Sequence, residues 1–250
     1  MVTQPLTLPT CLDEAQIKSL PSKAFYISDF LTEDEEQLLL HKIATAPKPR
    51  WKQLTHRRLQ TWPSDLTKNT LLDAPLPMWL TDPIVSRLLS LPTSHKDEGR
   101  HTFSDSPHGR PNHVLINEYL PNQGIMPHKD GSAYHPAVCT VSLGASLCLD
   151  IYGDKEDGTR EEQPRWRILQ EPRSLLITTD ELYTNYYHGI SEIEADINLN
   201  STTVANWDLL RSEDGIIDGR YERRERLSLT YRDVLKVSKL GTKLGIFGKR

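Results

Sequence analysis

The chain has 250 residues, 37% of them hydrophobic and 26% charged, and a formal net charge of −4. That is ordinary for a globular protein with a sizeable core, arranged as one large β domain or two smaller ones. The charge balance excludes a uniformly basic nucleic-acid binder, so any basic surface must be local. No apolar run is long enough to span a bilayer, and the first ten residues lack the charged and apolar regions of a secretory signal. Cys11, Cys139 and Cys148 make an odd count without zinc spacing. Reduced thiols in the cytoplasm and nucleus, with Cys139 and Cys148 buried, are the expectation.

Residues 1–21, with Pro5, Pro9 and Pro21, read as a flexible N-terminal lead-in. A first strand is expected within 23–30. Thr32 and Glu35 form a capping box, and the acids between them favour a helix N-terminus. A helix over about 33–45 follows, with Leu38, Leu39 and Ile43 at helical spacing. Residues 47–63 are basic and aromatic, with Arg50, Trp51, Lys52, Arg57, Arg58 and Trp62. Cations interleaved with rings suit phosphates and unpaired bases. A solvated hairpin with its tryptophans turned inward is the alternative. Asp82 and Pro83 suit an N-cap and first helical position, ahead of Ile84, Val85, Leu88 and Leu89. Residues 93–113, with His95, His101, His108 and His113, read mostly as a surface loop.

From residue 114 the pattern turns β-like. Short runs at 114–120, 137–144, 146–152, 166–169, 174–178 and 226–234 are separated by turn residues. Little helix lies between them, which argues against a doubly wound sheet. A mainly β chain with flanking helices (α+β) is expected, folded as a double-stranded β-helix, a jelly-roll-like barrel. Residues 153–163 read as an exposed hairpin insertion and 191–225 as a mobile one. The tail carries Lys236, Lys239, Lys243, Lys249 and Arg250, and could touch phosphate. No internal repeat is visible.

The chemistry-bearing residues are few. His128 and Asp130 are two apart, so extended backbone turns both the same way. With a distant His188 they supply a 2-His-1-carboxylate set, which suits non-haem Fe(II). Alone, a His-x-Asp pair is a weak signal. In 226–232, alternation puts Arg226, Ser228, Thr230 and Arg232 on one face and Leu227, Leu229 and Tyr231 on the other. This is either an amphipathic strand with solvated arginines or a strand turning two guanidiniums into a barrel. A buried guanidinium needs an anion, and two of them match a small dicarboxylate such as 2-oxoglutarate.

Taken in order, Asn117 and Tyr119, then His128 and Asp130, then His188, then Arg226, Thr230 and Arg232 resemble the AlkB family of Fe(II)/2-oxoglutarate dioxygenases. Segments 46–51, 124–131 and 171–176, with the Leu-Ser-Leu-Thr run at 227–230, are similar to its AlkB homologue six branch. The resemblance covers about residues 22–250, as a single dioxygenase domain. It implies Fe(II) on His128, Asp130 and His188, with 2-oxoglutarate and O2 as co-substrates. It implies Arg232 and Asn117 on the metal-proximal carboxylate of 2-oxoglutarate, and Arg226, Tyr119 and Ser228 on the distal one. Ser228 stands where the wider family usually has Asn. Residues 47–63 would be a nucleotide-recognition lid, with Arg50, Trp51, Lys52, Arg57 and Arg58 on substrate and Tyr134 at the entrance. The implied activity is oxidative demethylation or dealkylation of RNA or DNA; nothing in the sequence suggests an obligate interface, so a monomer is expected. A protein hydroxylase or demethylase on the same scaffold, or an RNA-binding protein with little turnover, are the alternatives.

Overall fold

The computed structural model describes residues 6–21, 23–97 and 99–239; Lys243, Lys249 and Arg250 of the basic tail lie outside them. Strand β1 (Ala24–Ile27) is followed by helix α1 (Glu33–Ala44). Its start is the expected capping box: Glu35 N–H donates to the Thr32 hydroxyl, and the Glu35 carboxylate accepts from Thr32 N–H at 2.9 Å. Leu39 and Ile43 turn into the core, whereas Leu38 stays exposed. Next come β2 (Lys52–Gln53), β3 (Arg58–Trp62), β4 (Thr70–Leu72) and the short helices α2 (Met78–Thr81) and α3 (Ile84–Ser90). Arg87 of α3 holds Glu35 at 2.6 Å, locking α3 to the first turn of α1. Asp82 does not cap α3 as expected. Its backbone N–H closes α2 by bonding Met78 O, and Pro83 takes the cap position without a side-chain bond.

The remaining strands are β5 (His113–Tyr119), β6 (Ile125–His128), β7 (Ala137–Leu143), β8 (Leu147–Tyr152), β9 (Trp166–Gln170), β10 (Leu175–Thr179), β11 (Tyr187–Ile190), β12 (Ala195–Asp196), β13 (Tyr221–Glu222), β14 (Arg226–Arg232) and β15 (Lys236–Ser238); α4 (Asp180–Thr184) precedes β11. A major sheet runs β1-β10-β7-β14-β5-β3-β2, and a minor sheet runs β6-β11-β8-β9. This is the expected barrel.

Period-two alternation decides what each face of the major sheet does. Its outer face gives Val114, Ile116, Cys139, Val141, Leu143, Leu175, Ile177, Leu227, Leu229 and Tyr231 to one core with α1 and α3. The inner faces of the two sheets meet in two smaller clusters. One includes Tyr26, Ile151, Ile168, Leu176 and Leu182, and the other Tyr119, Leu147 and Ile190. Among the described residues, no helix is long and apolar enough to cross a membrane.

Three expectations are corrected. The lead-in is not loose where it is described: Cys11, Leu12, Ile17 and Leu20 are buried, and Ile17 N–H bonds Ala24 O at 2.9 Å along the β1 edge. Residues 191–225 do not stand away from the barrel. Leu199, Val204 and Tyr221 pack on Cys148 and Leu169 of the minor sheet. The buried Asp196 is gripped by Arg223 at 2.8 Å and by Arg167 at 3.2 Å. The histidines of 93–113 do not share one surface loop. His113 is buried on β5, and His108 bonds the buried Asp233 at 2.7 Å. Residues 153–163 do form an exposed turn, closed by the Asp154–Arg160 bridge.

Candidate active site

The site sits between the two sheets, where β6 and β11 run antiparallel with His128 opposite His188. Two glycines allow this close approach. A Cβ on Gly124 would collide with the Ile190 carbonyl, and one on Gly189 would lie 3.0 Å from Pro127. The imidazole rings of His128 and His188 are 4.4 Å apart. Their ligand atoms and a carboxylate oxygen of Asp130 all fall within 4.8 Å of one another. His128 Nδ1 lies 3.0 Å from Met126 O. As a donor there it leaves the Nε2 lone pair for a metal. Burial pushes His188 down to about 4, so its imidazole is neutral and able to ligate at ordinary pH. Asp130 is held by Arg232, whose Nη2 donates to both carboxylate oxygens at 2.8 and 2.9 Å.

Beside this triad lies a cavity of about 170 Å³. Asn117, Tyr119, His128, Asp130, His188, Arg226, Ser228 and Arg232 all line it, together with Arg57. Strand β14 turns Arg226, Ser228, Thr230 and Arg232 inward and buries all four, so the reading with solvated arginines is excluded. Leu149, Ile151, Leu176 and Leu182 supply an apolar wall.

The two arginines differ. Arg232 Nη2 is spent on Asp130, and its buried Nε has no partner among the described residues. Pairing of Arg232 with the metal-proximal carboxylate of 2-oxoglutarate is therefore not prefigured, because its Nη2 is taken by both oxygens of Asp130. Arg226 is 2% exposed and, among the described residues, its partners are neutral: Ser142 Oγ at 2.7 Å and Gln170 Oε1 at 3.1 Å. Its Nε is buried without a partner. The Tyr119 ring lies 5.8 Å from its guanidinium carbon. Burial lowers Arg226 to about 10, which still leaves it charged at neutral pH. A buried cation without an anion is costly unless a ligand provides one.

The lid residues are mostly engaged with the protein itself. β3 is not a free hairpin; it pairs with β5 inside the major sheet. Arg50 bonds Pro63 O at 2.8 Å and stacks 4.2 Å over Trp62. Arg58 forks onto Glu118 at 2.6 and 2.7 Å and lies 4.1 Å over Trp51. Lys52 pairs with Asp65. Both tryptophans pack against the main core. Arg57 alone of this set reaches the cavity, donating to Asn117 Oδ1 at 3.1 Å. Tyr134 stacks 4.9 Å from the Arg232 guanidinium at the metal end.

Sequence reasoning did not pick out Ser142 and Gln170, which hold Arg226. Alternation could have found Ser142, because Thr140 and Ser142 are the polar residues between Cys139, Val141 and Leu143. Tyr183 was also missed. Its hydroxyl donates to Gly131 O at 2.9 Å behind the metal loop.

This arrangement suits iron and a dicarboxylate: a three-donor face for the metal, a cavity beside it, and a buried cation at the far end. Comparison with known proteins agrees. Residues 23–232 match the 2OG-Fe(II) oxygenase superfamily. The chain is 35% identical over 246 residues to the probable RNA/DNA demethylase ALKBH6 of Danio rerio, covering 94% of this chain and 95% of that protein. It is 27% identical over 208 residues to the tRNA (carboxymethyluridine(34)-5-O)-methyltransferase alkbh8 of Xenopus tropicalis. That match covers 78% of this chain but 30% of the relative. The solved structure of OsALKBH1 shares the fold, with a TM-score of 0.52 at 17% identity, covering 86% of this chain and 99% of that one. The chain thus belongs to the 2OG-Fe(II) oxygenase superfamily and, within it, to the AlkB family, oxidoreductases that use Fe(II), 2-oxoglutarate and O2.

Proposed function

We propose that this protein is an oxidative demethylase or dealkylase of nucleic acid, RNA or DNA, with His128, Asp130 and His188 as the iron ligands. The observation that carries the co-substrate assignment is Arg226, a buried guanidinium with neutral partners in the cavity beside the triad. A distal carboxylate of 2-oxoglutarate supplies the missing anion, with Tyr119 and Ser228 on the same wall. Asn117, on the same cavity wall, would meet the metal-proximal carboxylate, with Arg232 acting there chiefly by holding Asp130. When bound, iron with 2-oxoglutarate and O2 supplies hydroxylation of a C–H bond, coupled to formation of succinate and carbon dioxide; an N-methyl group so hydroxylated leaves as formaldehyde.

The protein's own part is positioning. Arg232 orients Asp130, the Met126 carbonyl fixes the His128 ring, and Leu149, Ile151, Leu176 and Leu182 give the cavity an apolar wall. The nucleic-acid assignment draws support from the AlkB relatives and from Arg57, the lid cation that reaches the cavity. Arg50, Trp51, Lys52 and Arg58 would act from the lid surface, and Tyr134 from the entrance. One observation favours a protein substrate as the second reading: Lys52 and Arg58 already have acidic partners. The three free cysteines support a reducing compartment, the cytoplasm and nucleus, and we take the protein to act as a monomer.

The test is succinate release from 2-oxoglutarate by Fe(II)-loaded protein under air, with methylated oligonucleotides or methylated peptides added. Stimulation by an oligonucleotide is the expected result. Stimulation by peptide alone would replace the nucleic-acid reading. Oligonucleotide binding without any succinate would instead leave a binding module.

A further inference from the structure

Beside β1, two segments distant in sequence bring together a thiol, a carboxylate and an imidazole. We propose that Cys11, Glu14 and His95 form a second metal site, built for a borderline-soft divalent cation of the zinc class. Their ligand atoms all lie within 4.8 Å of one another. His95 Nε2 is 3.5 Å from Glu14 Oε1. The Glu14 carboxylate is already oriented by Thr10, which donates from its backbone N–H at 3.1 Å and from its hydroxyl. That is the supporting arrangement that ligating carboxylates usually carry.

The two segments are clamped by backbone, Leu12 N–H donating to Pro92 O at 2.9 Å. Cys11 forms the floor, 1% exposed, while the His95 and Glu14 side chains are 64% and 43% exposed. The fourth position of a tetrahedral ion opens to solvent and takes water. A thiolate with an imidazole and a carboxylate selects zinc or cobalt over magnesium or calcium. The sequence hides the site because its donors sit at 11, 14 and 95, with no Cys-x-x-Cys spacing. A bound ion would staple the segment that covers the β1 edge to the loop after α3. Metal binding to the folded chain alone raises its stability.

Co(II) is the probe. Full-length protein is stripped with chelator and titrated with Co(II), following the near-ultraviolet charge-transfer band of a Co(II)–thiolate bond. The iron triad has no sulfur and gives no such band. Cys139 and Cys148 are both fully buried inside the barrel layers. The expected band saturates by about two equivalents, the iron triad taking Co(II) without a thiolate band, is displaced by Zn(II), and disappears in Cys11→Ser and in His95→Ala. Thr10→Val should weaken binding by about 10–100-fold. His95 lies at the surface, so its variant reports binding rather than folding. Absence of the band from the wild-type protein, or an unchanged band in His95→Ala, overturns the proposal.

Discussion

The two ends of the cavity carry the same residue type in opposite states. Arg226 and Arg232 are the first and last residues of one strand, both inward and both buried. At the metal end Arg232 is neutralised by Asp130, so its charge is satisfied before anything binds. At the far end Arg226 rests on a serine and a glutamine, and its charge is not matched. The metal end is therefore preorganised, whereas the far end bears a desolvation cost that an incoming carboxylate relieves. One end orders a ligand of the protein, and the other selects a ligand from solution.

The largest effects come from breaking the metal end. His128→Ala and Asp130→Ala should each reduce 2-oxoglutarate-dependent succinate formation to background. They should differ in metal-free stability. Asp130→Ala leaves Arg232 buried without its partner, a loss of about 3–5 kcal/mol. His128→Ala removes a half-buried ring and breaks no ion pair. Equal urea midpoints for the two variants would show that the Asp130–Arg232 pair does not set this end of the cavity.

The next comparison exchanges each arginine for methionine. Arg232→Met strands Asp130 and should destabilise the metal-free protein. Arg226→Met breaks no ion pair, and Ser142 Oγ keeps Gln170 Oε1 at 3.3 Å. Its metal-free stability should be unchanged or slightly higher. Its 2-oxoglutarate affinity, by contrast, should fall about 10–100-fold, as expected for hydrogen bonds to a charged group worth about 1.5–3 kcal/mol. Calorimetric titration reads both quantities, and unaltered affinity would remove Arg226 from the co-substrate site.

A pH series sharpens the metal end further. His113 faces Arg232 across β5 and β14. Burial first, and the Arg232 charge second, push it down to about 4. The folded state keeps it neutral while the unfolded chain protonates near its ordinary value. Stability should therefore be full above about pH 6.5 and decline as pH falls toward 4, by at most about 3 kcal/mol. His188 titrates with the same sign, so His113→Asn should flatten this decline without abolishing it. Denaturant melts at pH 7 and 5 measure the difference, and an unchanged slope would mean His113 carries no such linkage.

Much of this was legible because it is local. Thr32 and Glu35 announce α1, and the 226–232 alternation announces a strand with one cationic face. His128 and Asp130 lie two apart, which announces a shared side for an imidazole and a carboxylate. What was not legible is pairing at a distance. Residues 191–225 looked mobile because they are charge-dense, but Arg223 and Arg167 meet on Asp196, and Ser191 reaches Asp150 at 2.7 Å. Arg58 looked like a free phosphate contact, yet Glu118 waits on the neighbouring strand. Asp82 fitted a cap by type, but the chain bends there to close α2. Periodicity reports which way a side chain points; only the register of strands reports what it meets.

The smallest expected effect lies between the two arginines. Ser228 sits inward, opposite Asn117, two residues from Arg226. It is the position where the AlkB pattern usually has Asn. An asparagine there adds an amide donor on the same wall. If the wall faces 2-oxoglutarate, Ser228→Asn should tighten its binding by about 2–10-fold, one neutral hydrogen bond of about 0.5–1.5 kcal/mol. In the Arg226→Met background the gain should shrink, because the carboxylate that the amide would share is no longer held there. A double-mutant cycle on 2-oxoglutarate affinity isolates that coupling. Full additivity of the two substitutions would place Ser228 beside a different part of the ligand from Arg226, and would confine the unmatched end of the cavity to the guanidinium itself.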